Sequence, residues 1–287
     1  MMKILVTGSD GLIGTNILPD LSKQFEIVPA IEEQWDILDR KLGEEIVRAH
    51  QPDVLINLAA ITNVDGCEDA AELAYRVNTE GAGVLADLCK KYNVKLLHFS
   101  TDYVFDGTKG SPYIEEDLPN PINAYGVSKL AGENAIRHQV DDYVIIRTQW
   151  LIGLYGRNFV STIISAAQIN ESIRVVNDQW GSPTFAFDLA KAITQLMEID
   201  ARGIFHVCNR GKATWYDLAS RTIEFLGLGT KVIPISTKEY PLPAIRPAYS
   251  ILSTKKFTTK TGKLMPIWQA SLENFVHEYL QHAKGTA

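Results

Sequence analysis

Lys3-Ile-Leu-Val-Thr7, running into Gly8-Ser-Asp-Gly11-Leu-Ile-Gly14, decides how the rest of this 287-residue chain is read. The first five residues are a short apolar, β-branched run of the kind that forms a buried strand. Glycines at 8, 11 and 14 then allow a tight turn with positive φ. They also let backbone N–H groups approach a pyrophosphate at the start of the helix predicted over Ile13 to Gln24. The spacing is G-x-x-G-x-x-G, which also suits a plain turn. Its place directly behind an N-terminal strand is what points to dinucleotide binding.

Working outward, strands are predicted at Glu26–Ile31, Val54–Leu58, Lys95–Phe99 and Tyr143–Arg147. Helical patterns lie between them at Gly43–His50, about Ala70 to Tyr92, and about Tyr125 to His138. Continuous apolar strands alternating with helices give an α/β fold, a Rossmann-like doubly wound parallel sheet. After Leu151 the pattern changes. Helices are predicted at Phe159–Ile169, Phe187–Glu198, Trp215–Leu226 and Trp268–His282, with strands at Ile173–Val176 and Gly203–Cys208. A Pro-rich stretch holds Pro234, Pro241, Pro243 and Pro247. The expected organisation is a dinucleotide-binding domain over 1–155 plus about 178–206. A smaller interleaved α/β substrate domain takes about 156–177 and 207–287.

Composition narrows the function classes. The chain is 46% hydrophobic and 22% charged with net charge −6, an ordinary globular balance that disfavours nucleic-acid binding. Three cysteines, Cys67, Cys89 and Cys208, show no metal or redox spacing. No apolar run is long enough for a membrane span, and no secretory leader is visible. A cytoplasmic protein with no bound metal is the expectation.

Further residues carry chemistry. Glu32 and Glu33 lie where an acidic residue holds adenosine ribose hydroxyls, and would repel a 2′-phosphate; a solvated loop face explains them equally well. Asp36-Ile37 is a candidate adenine contact. Tyr125 and Lys129, four apart on a predicted helix, share a face. Such a pair also arises by chance, and its context is Thr101, just after a strand whose carboxyl end faces the cofactor crevice. An ammonium beside a phenol favours the phenolate, so Tyr125 is expected to exchange a proton while Thr101 orients a substrate oxygen.

Together the glycine turn, Asn57-Leu-Ala-Ala60, Val77-Asn78, Ser100-Thr-Asp-Tyr-Val-Phe-Asp-Gly107 and Asn123-Ala-Tyr-Gly-Val-Ser-Lys129 resemble the extended short-chain dehydrogenase/reductases. Within them the chain is similar to the dTDP-4-dehydrorhamnose reductase family. Arg147-Thr-Gln-Trp-Leu151, Asp178–Thr184 with Asp188-Leu-Ala190, and Arg246-Pro-Ala-Tyr-Ser250 extend the likeness over nearly the whole length. The resemblance implies reduction by NADPH or NADH of the C4 ketone of a nucleotide-linked 4-keto-6-deoxy sugar, in deoxysugar and polysaccharide-precursor biosynthesis. It implies Thr101, Tyr125 and Lys129 as the catalytic set. Gly8, Gly11, Leu12, Ile13, Gly14, Asp36, Ile37, Ala59, Ala60 and Asn78 are expected at the cofactor, with Tyr125 and Lys129. Thr101, Asp102, Tyr103 and Trp150 would meet the sugar nucleotide, and Arg246 its diphosphate. The partner is thus a nucleotide sugar, with a homodimer as the candidate assembly. Gln149 stands where the family usually has a small residue, and Leu12 replaces a common Gln. Because both ligands are anionic, a positive or amide-rich lining is expected from Gly8–Gly14 and Arg246.

Two other readings stay open. A 4-epimerase on the same scaffold would return the hydride, whereas a dehydratase would need a carboxylate where Tyr103 stands. A non-catalytic regulatory subunit could also use this fold, although Thr101, Tyr125 and Lys129 are all retained.

Overall fold

A computed structural model describes residues 1–285. The apolar runs become β1 (Lys3–Thr7), β2 (Glu26–Ala30), β3 (Val54–Asn57), β4 (Lys95–Thr101) and β5 (Tyr143–Thr148). With β10 (Gly203–His206) they form one parallel sheet in the order β2-β1-β3-β4-β5-β10. Every residue of β3 and β4 is buried, which is why these strands are apolar without alternation. The outermost strand β2 carries Pro29, where a missing N–H is tolerated at an edge.

Helices cover both faces. On one side α1 (Leu12–Leu21) and α8 (Ala186–Glu198) pack through Ile17, Leu21, Leu189 and Ile193 onto Ile4, Val6 and Ile56. On the other, α2 (Arg40–His50), α5 (Ala82–Tyr92) and α6 (Ala124–Gln139) bury Val47, Leu85, Leu88 and Ile136 against Leu5, Leu55 and Ile145. This is a doubly wound α/β fold. The strand order reverses at β1, so the loops after β1 and β3 diverge and leave a crevice at the carboxyl ends.

A second core gathers the later elements. It joins α7 (Phe159–Ala167), α9 (Trp215–Leu226) and α11 (Trp268–Gly285) through Val160, Ile164, Leu218, Leu272 and Phe275. The short strands β6 (Leu151–Ile152) and β9 (Thr184–Phe185) pair with each other, as do β8 (Trp180–Gly181) and β11 (Ala213–Thr214).

Three local differences from the sequence reading have physical causes. The expected helix from Ala70 is divided into α4 (Ala71–Tyr75), a π-helical turn at Arg76–Gly81, and α5. The wide turn contains Asn78, whose amide clips two other segments together, as described below. The Pro-rich region opens with a strand, β12 (Lys231–Ile235), parallel to β7 (Ser172–Val176). Pro234 fits because this sheet has only two strands and both are edges. Finally, α10 (Lys255–Thr261) has a polar sequence, KKFTTKT, that gives no amphipathic signal; the fully buried Phe257 anchors it. The short α3 (Val64–Asp69) follows β3 and is capped by the Asn63 side chain.

Candidate active site

The glycine turn is built as its sequence demands. Gly8 has φ +62°, and a Cβ there would lie 2.6 Å from the Ala59 nitrogen. A Cβ on Gly14 would lie 2.2 Å from the Ser9 carbonyl oxygen. Helix α1 then starts behind Gly11 with no side-chain cap and no acidic residue in its first turn. The helices α2, α6, α7 and α9 are instead capped by Asp39, Asn123, Asn158 and Thr214. An uncapped N-terminus flanked by glycines offers backbone N–H groups to a phosphate. Leu12 and Ile13 occupy that first turn, with the Ile13 side chain packed on the core.

A cleft of about 250 Å³ opens beside this turn. Gly8, Gly11, Ala59 and Ala60 line it, and Asp36 and Ile37 close its outer end. Glu32 also lines it, whereas Glu33 is an exposed neighbour outside the lining. Asn57 shapes the inner wall: its Oδ1 accepts from the Thr7 hydroxyl at 2.8 Å and the Ala59 N–H at 3.0 Å. Its Nδ2 lies 3.0 Å from His98 Nδ1, tying β3 to β4. Burial and the charge of Lys129 hold His98 well below its ordinary value, so it is a neutral core residue.

Asn78 does not face this cleft through its amide. It is buried, its Oδ1 accepts from the Ile61 N–H at 2.8 Å, and its Nδ2 donates to the Ile61 carbonyl and the Ser128 hydroxyl. The expected cofactor contact is corrected to a clip that fixes the Ile61 loop against α6. Its neighbour Val77 lines the cleft instead.

Thr101 and Tyr125 are neighbours at the carboxyl end of β4, and Lys129 lies buried one turn further along α6. Thr101 is the last residue of β4, and its hydroxyl lies beside the Tyr125 phenol. The same oxygen accepts from the Tyr103 N–H at 3.1 Å and lies 3.1 Å from Asp102 Oδ1. Tyr103 meets Tyr125 edge-on, with ring centroids 6.0 Å apart. Burial raises the Tyr125 phenol above its ordinary value, and the opposing pull comes from Thr101. This corrects the expectation that Lys129 supplies that pull. Burial draws the Lys129 amine itself down to about 8, against the attraction of Glu133. Asp102, 2% exposed, is pushed up to about 7 by burial, with partial offset from Ser250 and Thr101. Its Oδ2 has no hydrogen-bond partner among the described residues.

The RmlD substrate binding domain family matches residues 2–281. A dTDP-4-dehydrorhamnose reductase of Burkholderia thailandensis is 35% identical over 97% of this chain and 99% of its own. A crystal structure of a dTDP-4-dehydrorhamnose reductase from Clostridium acetobutylicum is 38% identical with TM-score 0.94, covering 98% of this chain and all of the other. The Bacillus anthracis enzyme, solved in complex with NADP, is 36% identical with TM-score 0.93, covering 97% and 100%. The chain belongs to the dTDP-4-dehydrorhamnose reductase family.

In this family member two residues expected on the substrate side already have partners within the protein. Trp150 stacks on Trp215, with centroids 3.5 Å apart and planes 9° from parallel, and backs onto Gly181. One of its faces is therefore committed within the protein. Arg246 makes a two-pronged bridge to Asp65 at 2.9 and 2.7 Å. It is not a free cation, and the cleft beside the glycines carries Asp10, Glu32 and Asp36. Of the positive or amide-rich lining expected, the positive part from Arg246 is engaged by Asp65, and the glycine turn carries the amide-rich alternative.

Sequence reading missed Asp65, Trp215 and the Asp102–Ser250 contact, because each joins residues remote in the chain. It also missed Glu133, although its place four residues after Lys129 was a usable signal. Among the described residues, no helix is long and apolar enough to cross a membrane.

Proposed function

We propose that the protein reduces the C4 ketone of a nucleotide-linked 4-keto-6-deoxy sugar, of the dTDP-4-dehydrorhamnose type, with NADPH or NADH. The observation that carries this reading is Thr101, at the end of β4, beside the buried Tyr125 of α6, in a fold whose glycine turn leads into an uncapped helix. The domain division proposed with it is the dinucleotide-binding part over 1–155 and about 178–206, and the substrate part over the remainder.

The residues present suit a dinucleotide. Gly8, Gly11 and Gly14 with the first turn of α1 would hold the pyrophosphate, and Ala59 and Ala60 would lie along it. Asp36 and Ile37 would meet the adenosine end, with Glu32 favouring free ribose hydroxyls over a 2′-phosphate. A bound nicotinamide supplies the hydride.

The chain's own residues handle the proton. Thr101 orients the ketone oxygen by hydrogen bonding as charge grows on it. Tyr125 gives its phenolic proton to the more basic C4 alkoxide; burial keeps the phenol protonated until then and also makes it the weaker acid. Lys129, one turn along α6, would serve the cofactor side of the site as a buried amine. Asp102 and Tyr103 bound the sugar pocket, and Trp150 and Arg246 its nucleotide side.

The test is a panel of 4-keto-6-deoxy nucleotide sugars with each nicotinamide cofactor, followed by loss of absorbance. Stoichiometric oxidation is expected, and Tyr125→Phe should lower turnover by a factor of about 100 or more while cofactor binding persists. Interconversion of sugars without net oxidation would establish an epimerase. No turnover on any ketosugar, together with a stoichiometric protein partner, would establish a regulatory subunit.

A further inference from the structure

Beneath the proposed catalytic set lies a buried ion pair that the reaction as written does not use. Glu133 sits one turn beyond Lys129 on α6 and is fully buried, as is its partner Arg147 on β5. Arg147 donates Nε to Oε1 at 2.8 Å and Nη2 to Oε2 at 2.6 Å. The Ser100 hydroxyl on β4 adds a third bond to Oε1 at 2.5 Å. Parallel N–H···O bonds from a guanidinium are a contact that suits a carboxylate.

Stability alone is a poor reason for such a pair, because well-packed apolar residues commonly do as well in its place. Its location supplies another reason. Three elements fix this carboxylate one helical turn from a lysine that is 3% exposed. We propose that Glu133 is a positioning residue for the reduction: pinned by Arg147 and Ser100, it holds the buried Lys129 side chain as an ammonium under the site. This rests on the reading of Lys129 given above.

The surrounding charges leave Glu133 in that role. Burial works against the Lys129 charge, and Glu133 is the group that opposes burial. His98, from β4, is kept neutral, and Arg147 is engaged by Glu133 itself. On the π-helical turn packed against α6, Arg76 and Glu80 are exposed. On α3, Asp65 is held by Arg246 and Glu68 accepts the Ala124 N–H at the start of α6. Toward the cleft lie Asp102 and Tyr103, while Glu72 on α4 and Lys90 and Lys91 on α5 are exposed.

Selective NMR of the Lys129 side chain, assigned by its absence in Lys129→Met, reads the amine directly and needs no substrate. In Glu133→Gln the Lys129 midpoint should fall by about one unit or more, a tenfold or greater loss of ammonium on the alkaline side. The alkaline limb of kcat/KM should move to lower pH by the same amount, with less change near pH 6. Glu133→Asp should restore part of both shifts. Where Glu133→Gln does not fold, Glu133→Asp is titrated by itself; withdrawing the carboxylate by one methylene should lower the Lys129 midpoint by a smaller step, and no shift overturns the proposal. An unchanged Lys129 midpoint in a folded variant, or a loss of rate equal at every pH, overturns the proposal. Absence of turnover in the unmodified protein would instead overturn the proposed function, and the NMR titration would still decide the role of Glu133.

Discussion

Arg246 and Asp65, 181 residues apart in the chain, face each other in a two-pronged salt bridge across the mouth of the site. Asp65 also accepts the Ala244 N–H at 3.1 Å, and Asn123 holds the Ile245 carbonyl at 2.8 Å. The segment bearing Arg246 is therefore fastened to α3 and to the start of α6 at once. Arg246 lies beside Tyr103 as well, so this fastening reaches the sugar pocket.

Asp65→Ala should release that segment. Both partners are partly exposed, so the expected loss of stability is modest, roughly 1 kcal/mol. Hydrogen exchange at the Ala244 amide should speed up by a larger factor than exchange in the central sheet. The hydrogen bond to Arg246 holds the Asp65 carboxyl below its ordinary 3.8. Its folded value is thus depressed, so the contribution is complete above that ordinary value and is lost as pH falls below it. Unaltered Ala244 exchange would show that the bridge does not fasten the segment.

Gly14→Ala tests the glycine turn. The added methyl would meet the Ser9 carbonyl oxygen at 2.2 Å, a contact with backbone that cannot swing away. The turn must open, and cofactor affinity, followed by nicotinamide fluorescence, should fall by about tenfold or more. Gly110→Ala is the control for position, since its Cβ meets nothing within 4 Å; its φ of +70° limits the cost to local strain.

Trp215→Leu should disturb Trp150 without touching the sheet. The stacked pair contributes about 1 kcal/mol beyond burial, and Trp150 holds a left-handed φ of 47° that its neighbours must support. The expected result is a raised KM for the ketosugar with cofactor affinity unchanged. Equal changes in both affinities would show a general loosening instead.

Lys129→Met should abolish turnover and yet stabilise the fold. The folded-state amine titrates near 8 against an ordinary 10.5, so burial disfavours its charge. Below about pH 8 the folded protein carries the whole penalty, roughly 3 kcal/mol. As pH rises from there to 10.5, wild type gains stability relative to the unfolded chain. Urea unfolding should therefore show Lys129→Met the more stable at pH 7, with the gap closing by pH 10. A gap independent of pH would sink this account.

Much of this was legible along the chain because its cause is local. Apolar runs at 3–7, 54–58 and 95–99 dictate buried strands, and glycines at 8 and 14 stand where any side chain would strike backbone. Tyr125 and Lys129 share a face by helical spacing alone. The order of these motifs was enough to name a family. Tertiary structure decided the electrostatics and the pairings. Net charge −6 gave no hint that Arg246 would be neutralised by Asp65, that Asn78 would spend its amide on Ile61 and Ser128, or that Lys129 would be opposed by burial. Spacing in sequence fixes which side chains share a helix face. Only packing sets how far each lies from water and which distant partner reaches it, and those two quantities determine whether a buried group keeps its charge.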